Sequence, residues 1–434
     1  MVKYKLKDTE QQQCRENSFM FFSLLLCFLL FGSFSSLPAL ADEDYDSLIV
    51  KPKEVILKSK KLNRAMYRVF PGFRKINDNS FVIPLNLTNN EMKKVKIAEL
   101  QNSRLFDLVE PDYKFSLDQI PTERIYTMIT KRSEENLQDS PVTNNEIKEI
   151  TPNDKDFNSQ YYLKQVNATT AWSITTGEPL LVAVLDTGVD INHPDLAGKV
   201  TSGSGQNDVD LNDKIGHGTE VSGIIAANTN NNQGIAGVSW NTKVLSYKIT
   251  DDFGQARVST VVTALQDAAA KGAKIIHISL STNQFSQTLK NAIKEAQDAG
   301  LLIVSTAGNT ATEELRYPAA FDGVIGVGAT NELKTLESYS TKGEHVALVA
   351  PGASIYTTTA GSIYEEVSGT SFSAPQVTGA AALVWSIAPK LSNKEVREIL
   401  INSAEDLGQS GKDLEYGYGL LNIEKALELA NALK

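Results

Sequence analysis

Short apolar runs alternate with helical stretches along the C-terminal two thirds of the chain, and this alternation constrains the fold most strongly. Apolar runs suited to buried strands occupy residues 180–185, 243–249, 275–280, 301–306, 324–329 and 345–350. Helical patterns occupy residues 258–271, 286–299, 394–404 and 423–432. Fully apolar strands separated by helices predict a parallel sheet covered on both faces. We therefore predict an α/β fold with three layers around a mostly parallel central sheet.

Polar motifs stand at the ends of these strands, where parallel sheets bind ligands. The first apolar run ends at Asp186, and Gly-His-Gly-Thr-Glu at 216–220 opens a helix of small residues. Gly-Thr-Ser-Phe-Ser-Ala-Pro at 369–375 precedes a second such helix, at 377–386. Ser371 thus presents its hydroxyl beside free backbone N–H groups. Pro375 is expected in the first helical turn, where its missing N–H breaks no bond.

Serine, histidine and aspartate in these settings are the groups that base-assisted acyl transfer requires. Ser371 is the predicted nucleophile, His217 accepts its proton, and Asp186 holds the imidazole in the right tautomer. Taken alone, Ser371 would favour a helix cap, because capping is the common use of such residues. The Asp and His motifs favour the catalytic interpretation.

These three motifs, in the order Asp, His, Ser, resemble those of the subtilisin family of serine proteases over roughly residues 152–433. Residues 151–154 and 229–231 are similar to thermitase-like members. The resemblance implies a subtilisin-like fold and a serine endopeptidase that works through an acyl-enzyme on Ser371. It also implies that the Asn309 amide and the Ser371 N–H stabilise the oxyanion. Without the other motifs, Asn309 would be typical of a turn.

The strand at 278–282 resembles the family strand that holds the substrate backbone. Ser279, Leu280 and Ser281, with Gly308, are therefore the predicted substrate-binding residues. Family members usually have glycine after Ser-Leu, whereas this chain has Ser281 and Thr282. We predict a narrower subsite wall that discriminates against bulky side chains.

The resemblance to thermitase-like members further implies a structural calcium site at the asparagine-rich loop 228–234. Ca²⁺ takes about six to eight oxygen ligands, many of them carbonyl and amide oxygens. The implied ligands are Asp154, Asp195, the Asn228 carbonyl, Asn231, and the carbonyls of Gln233 and Ile235. An asparagine-rich surface turn is the alternative. Bound calcium would stabilise a domain that has no disulfide.

The N-terminal stretch predicts export. Basic residues precede an apolar run at 19–34 and Ala-Leu-Ala at 39–41, the order of a secretory signal peptide spanning 1–41. A transmembrane anchor is the alternative, but the run is short for it. Both cysteines, Cys14 and Cys27, lie in this segment. We predict a secreted or extracytoplasmic protein without a stable membrane anchor or a disulfide.

Three further regions follow the signal segment. Residues 42–115 combine strand-like runs at 80–85 and 105–109 with a helical piece at 91–102, which predicts a small α+β domain. Its end resembles that of subtilisin-type propeptides, which implies an intramolecular chaperone and inhibitor; a permanent accessory domain is the alternative. Residues 116–150 are polar and aperiodic, which predicts an exposed linker and processing region. The peptidase domain then spans 151–434, as a monomer.

Charge and missing motifs exclude other functions. The net charge of −10 argues against a nucleic-acid partner, so the predicted partners are polypeptide substrates and the propeptide. A catalytic zinc would need a His-Glu-x-x-His motif, which the chain lacks. An esterase or amidase remains an alternative, although residues 369–373 lack the second glycine of Gly-x-Ser-x-Gly. The other alternative is a pseudoprotease that binds without cleaving.

Overall fold

The chain divides into two compact units, Met1–Tyr113 and Lys114–Lys434. A computed structural model describes residues 45–58, 66–67, 70, 72–87, 89–103, 105–118, 120, 149–203 and 212–433. The predicted signal peptide and most of the predicted linker lie outside the described residues. None of the described helices combines the length and hydrophobicity needed to cross a bilayer.

In its described residues, the first unit is a four-stranded antiparallel sheet with two helices, the α+β architecture expected from its sequence. Its elements are β1 (Ser47–Pro52), α1 (Glu54–Lys58), β2 (Arg74–Lys75), β3 (Phe81–Pro84), α2 (Asn90–Asn102) and β4 (Phe106–Pro111). The strand order is β2-β3-β1-β4. Helix α2 begins where the Asn89 side chain accepts from the N–H groups of Glu91 and Met92. Its apolar face packs Ile97 and Leu100 into the core of this unit.

The second unit is built on a parallel sheet, as predicted, which has seven strands among the described residues, one more than the six predicted. They are β6 (Leu181–Asp186), β7 (Val200–Ser202), β8 (Lys243–Lys248), β10 (Ile275–Ile278), β11 (Leu302–Thr306), β12 (Ile325–Thr330) and β13 (Val346–Pro351), with β5 (Lys114–Ser116) and β9 (Gln255–Arg257) outside this sheet. Their order is β13-β12-β11-β10-β6-β8-β7. The central strands are buried over nearly their whole length, so they carry no alternation of polar residues.

Helices surround this sheet and complete the three layers. They are α3 (Tyr161–Gln165), α4 (Ala168–Ala171), α5 (His217–Ala226), α6 (Val258–Ala270), α7 (Gln287–Asp298), α8 (Thr370–Ile387), α9 (Asn393–Asn402) and α10 (Ile423–Asn431). Helix α8 is apolar on all sides and buried over most of its length, as expected of a helix that crosses the core. Its alanines and glycine allow close approach to the sheet and to α5.

The register of the sheet brings distant parts of the sequence to one edge. Leu185 pairs with Ile278, and Ile278 pairs with Ser305. The residues that follow these three positions therefore leave the sheet together, at the carboxyl ends of adjacent strands. A hairpin of β14 (Ile355–Thr359) and β15 (Ile363–Val367), which the sequence pattern did not reveal, packs beside α5.

Candidate active site

Asp186 and His217 are joined by a direct hydrogen bond. Asp186, the last residue of β6, is fully buried, and its Oδ1 accepts from the Nδ1 of His217 at 2.8 Å. The same oxygen accepts from the Thr187 N–H at 2.7 Å. A carboxylate held by two donors fixes the His217 ring, and it leaves the ring's Nε2 for another partner. The predicted Asp–His pair is thus assembled, with the His217 side chain 12% exposed.

A second buried carboxylate, Asp213, shapes the turn before His217. Its Oδ1 accepts from the Gly216 N–H at 2.7 Å and from the Thr187 hydroxyl at 2.8 Å. Its Oδ2 accepts from both the N–H and the hydroxyl of Thr219, at 2.9 and 2.7 Å. The sequence analysis missed this residue. The signal was an aspartate four positions before His217, in a segment that otherwise reads as a polar loop.

Burial and nearby charge act in opposite directions on His217. Burial favours its neutral ring, but the charge and hydrogen bond of Asp186, with the carboxylates of Glu220 and Asp213, raise its pKa from 6.5 to about 9. Burial raises the pKa of Glu220 itself to about 7, although the Thr359 hydroxyl donates to it at 3.1 Å. The surroundings therefore stabilise an imidazolium at position 217.

Ser371 lies in the first turn of α8 and is followed by an unbroken run of buried residues that ends at Trp385. Its hydroxyl donates to the Ser279 carbonyl at 3.3 Å, and the structure gives no hydrogen bond between Ser371 and His217. The ring of Phe372 lies 5.4 Å from that of His217, between ring centroids, which brings the start of α8 beside the histidine. Within the described residues, the Ser371 N–H has no hydrogen-bond partner.

The expectation that Pro375 occupies the first turn is wrong, because α8 begins at Thr370 rather than at 377. Proline at this position cannot donate the helical hydrogen bond to the Ser371 carbonyl. The Ser279 hydroxyl donates to that carbonyl instead, at 3.1 Å. His277 lies behind Ser279, with its Nε2 2.7 Å from the Ser279 hydroxyl. A buried chain of hydrogen bonds thus links the end of β10 to Ser371.

Asn309 is fixed by the residue before the serine. Its Oδ1 accepts from the N–H and the hydroxyl of Thr370, at 2.9 and 2.7 Å. This leaves Nδ2 as a donor, and it donates to the backbone carbonyl of Asp118 at 2.7 Å. Gly369 adopts φ +148, and a Cβ there would lie 3.2 Å from the Asn309 Nδ2. The amide therefore points at a peptide carbonyl, as the predicted oxyanion role requires.

Ser281, in the predicted substrate strand at 278–282, pairs with the end of β5 of the same chain. Strand β5 runs antiparallel to β9, with Phe115 opposite Ala256. On its other side, Ser116 and Ser281 exchange two backbone hydrogen bonds of 3.3 Å. Residues 114–118, called here the cleft segment, thus lie between β9 and Ser281. Residues 116–118 were predicted to be exposed linker, but this double pairing holds them in place.

Two of the six predicted calcium ligands, Asp154 and Asp195, contact the loop that follows α5 and carries the other four. Asp154 accepts from the backbone N–H groups of Asn230 and Asn231, at 2.9 and 3.0 Å. Asp195 accepts from the Asn231 amide and the Ile235 N–H, both at 2.8 Å. Asn231 therefore contacts both carboxylates. Burial raises the pKa of both Asp154 and Asp195, so neither negative charge is fully offset by these donors.

Comparison with known proteins decides which family this geometry belongs to. The family described as the subtilase family matches residues 177–419, more than half of the chain. The chain belongs to the subtilase family. Its parallel sheet and helices form the expected three-layer subtilase fold.

Several subtilases of known activity are similar to this chain. A thermophilic serine proteinase of Bacillus sp. (strain AK1) is 40% identical over 271 residues, 62% of this chain and 67% of that protein. Thermitase of Thermoactinomyces vulgaris is 37% identical over 281 residues, 64% of this chain and 99% of that protein. Subtilisin DY of Bacillus licheniformis is 35% identical over 260 residues, 58% and 92% of the two chains. These relatives identify the chain as a thermitase-like subtilase and a serine-type endopeptidase, which confirms both predictions.

Proposed function

We propose that this subtilase is secreted, is made as a self-processed zymogen, and cleaves polypeptides with Asp186, His217 and Ser371. The observation that supports the catalytic assignment best is the Asp186–His217 hydrogen bond, which lies at the sheet edge beside the start of α8. Export rests on the signal-like sequence at 1–41. The zymogen proposal rests on the separate α+β unit that precedes the peptidase.

In the proposed reaction, the Ser371 hydroxyl turns from the Ser279 carbonyl toward His217 and attacks the substrate carbonyl carbon. His217 takes the hydroxyl proton, and Asp186 stabilises the imidazolium that forms. The negative charge on the carbonyl oxygen is stabilised by the Asn309 Nδ2 and the Ser371 N–H. His217 then protonates the leaving amine. Water, deprotonated by His217, releases the acyl group from Ser371.

The raised pKa of His217 fits this role. Its surroundings favour the charged ring, and the charged ring is the form present when the tetrahedral intermediate exists. His277, by contrast, is held neutral, because burial and the nearby His217 lower its pKa to about 3. We therefore assign the proton transfer to His217 alone, and a supporting position behind Ser279 to His277.

A structural calcium ion at the loop 228–234 is the second part of the proposal. Among the described residues, no three His, Cys, Asp or Glu side chains converge on a possible ion, so such a site depends on amide and carbonyl oxygens. The carbonyls of Asn228, Gln233 and Ile235 accept no hydrogen bond within the described part of the chain. Together with Asp154, Asp195 and Asn231, they form the oxygen-rich set that Ca²⁺ prefers.

Gly234 supports a site at this loop, whereas the orientation of the Asn231 amide would have to change for calcium to bind. A Cβ at Gly234 would lie 2.0 Å from the Asp195 Oδ2, so the loop closes over that carboxylate only because residue 234 is glycine. Ligation by Asn231 requires its amide oxygen to face Asp195, whereas its nitrogen does so here. Bound calcium would supply the positive charge that these two buried carboxylates lack.

The catalytic proposal is tested by expressing the full chain beside its Ser371→Ala variant and following the size of both on a gel with time. We expect the parent to shorten and to react covalently with a serine-directed phosphonate. The variant should do neither. A parent that stays intact and does not react with the phosphonate would favour the pseudoprotease alternative.

A further inference from the structure

The cleft segment lies where a peptide substrate would lie. Its backbone pairs with β9 on one side and with Ser281 on the other, and the Leu117 N–H donates to the Gly254 carbonyl at 3.4 Å. The Phe115 side chain is fully buried. Backbone pairing of this kind is independent of side chains, so it orients any peptide in the same way. The side chains of the segment then show what the neighbouring pockets accept.

The carbonyl of Asp118 marks the bond that would react. It accepts from the Asn309 Nδ2 at 2.7 Å, and Asn309 is held against Thr370, the residue before Ser371. An oxyanion donor should contact the oxygen of the peptide bond that is broken. The bond in question is the one between Asp118 and Gln119.

The side chain of Asp118 enters a pocket that contains a cation. Its Oδ1 pairs with the Arg316 guanidinium, and its Oδ2 accepts from the Ser281 hydroxyl. Both charged side chains are nearly buried, at 6% exposure for Asp118 and 9% for Arg316. We call Ser281, Gly308 and Arg316 the acid pocket.

Contacts other than those with Asp118 also hold the acid pocket together. The Arg316 Nε donates to the Ser281 hydroxyl at 2.9 Å, and Tyr317 and Thr282 pair through two backbone hydrogen bonds that place these residues side by side. A Cβ at Gly308 would lie 3.0 Å from the Arg316 Cγ, so the glycine leaves room for the arginine stem. The guanidinium thus has a fixed position.

Two carboxylates contact the guanidinium of the acid pocket, and they differ in burial. Besides Asp118, Arg316 pairs with Glu314, at 3.2 Å, but the Glu314 side chain is 37% exposed, so solvent screens that pair more than the buried one. Burial raises the pKa of the Asp118 carboxyl, and Arg316 and Ser281 act against that rise. An apolar side chain in this position would leave a buried guanidinium and hydroxyl without their main acceptor, which disfavours such substrates.

We propose that the acid pocket selects aspartate or glutamate on the acyl side of the cleaved bond, and that the Asp118–Gln119 bond is the site of self-processing. This inference rests on the proposed function, because it assigns the specificity of the same active site. The sequence had already drawn attention to Ser281, as part of a narrow subsite wall. In this proposal the Ser281 hydroxyl also donates a hydrogen bond to the substrate carboxylate.

The processing reaction is balanced by water alone. The C–N bond of Asp118–Gln119 breaks as the Asp118 acyl group passes to the Ser371 oxygen, and the Ser371 proton moves through His217 to the new amine of Gln119. Water then releases the Asp118 carboxylate. The product keeps its acidic side chain in the acid pocket, so the cleft segment would inhibit the enzyme until it dissociates.

A charge exchange in the full chain tests the processing site. We expect the parent to yield a new N-terminus at Gln119, identified by intact mass. Asp118→Lys and Arg316→Glu should each slow this cleavage about 30-fold or more, and the double variant should recover much of the loss. Lys114→Ala serves as a matched control on the same segment. Unchanged cleavage after residue 118 in both single variants would overturn the proposal.

A pair of peptides separates failure of the pocket from failure of the enzyme. The processed protein is given a Phe-Ser-Leu-Asp-Gln peptide and the same peptide with leucine in place of aspartate. We expect kcat/KM to favour the aspartate peptide about 30-fold or more, and Arg316→Leu to reverse that preference. Cleavage of both peptides with a preference for leucine would refute the acid pocket and leave the peptidase intact. Cleavage of neither peptide would refute both proposals.

Discussion

The catalytic residues and the acid pocket lie side by side but differ in what holds them. Asp186, His217 and Asn309 are held by hydrogen bonds to residues outside the peptide. The acid pocket also has a fixed arginine, but the more buried of the two carboxylates that pair with it belongs to the peptide. The first region should therefore act on every substrate alike, whereas the second should discriminate among substrates. The ratio of cleavage rates for two peptides therefore measures the discrimination by the acid pocket alone, because the contribution of the catalytic residues cancels.

Loss of the general base gives the largest expected effect. His217→Ala should lower kcat/KM by about 10⁴-fold or more, because Ser371 then lacks a proton acceptor. The loss should be equal for the aspartate and leucine peptides described above. His345, which contacts the Ala307 carbonyl at 3.1 Å, provides a control as His345→Gln. A changed ratio between the peptides would show that the two regions are coupled.

Loss of the oxyanion donor should come next. Asn309→Ala should lower kcat by about 10²–10³-fold while KM changes little, because the amide acts mainly in the transition state. Asn309 also accepts from Thr370, so the melting temperature must be measured with the rates. Asn283→Ala, at another asparagine of the same unit, is the matched control. A rise in KM alone would indicate that Asn309 only binds the peptide.

Calcium should affect stability rather than either region. Chelation should lower the melting temperature of the processed protein by about 5 °C or more if the ion is bound well above its dissociation constant. Asp195→Asn should remove most of that response, because it deletes one of the two buried carboxylates. The ratio of kcat/KM between the aspartate and leucine peptides should not change. Equal melting temperatures with and without chelator would count against the site.

The pH profile should show the smallest change. Only the neutral ring of His217 can accept the Ser371 proton, so a raised pKa moves the acid limb of kcat/KM upward, above the ordinary 6.5. Glu220→Gln removes one of the carboxylates that raise it and should move the limb down by a fraction of a pH unit. Both peptides should shift together. A limb at or below 6.5 in the parent would contradict the charge environment described here.

The sheet and the pairing of Asp186 with His217 were predictable because their signals are local. An apolar run ending in aspartate, or a glycine before a helix, can be recognised within a few residues. The start of α8 was less predictable, because the run of small residues begins at 377 whereas the helix begins at Thr370. The hairpin of β14 and β15 was missed because its threonines and glutamates are polar, although several of them are buried against α5.

The acid pocket could not be predicted from the sequence for a different reason. Arg316 is an unremarkable loop residue, separated from Ser281 by 35 positions and from Asp118 by 198. Its role exists only when the chain brings these three side chains together. The one local signal was Ser281 in place of the usual glycine, and the narrow subsite wall inferred from it stays a prediction. The domain boundaries and the roles assigned to individual site residues stay predictions.

The central claim joins both regions, because self-processing after Asp118 needs the catalytic residues and the acid pocket at once. The most direct test is the intact mass of the full chain after expression, compared with that of Ser371→Ala. The account predicts a parent that begins at Gln119 and a variant that still contains the Asp118–Gln119 bond. Cleavage at that bond in both forms, or a parent processed only at other bonds, would contradict it.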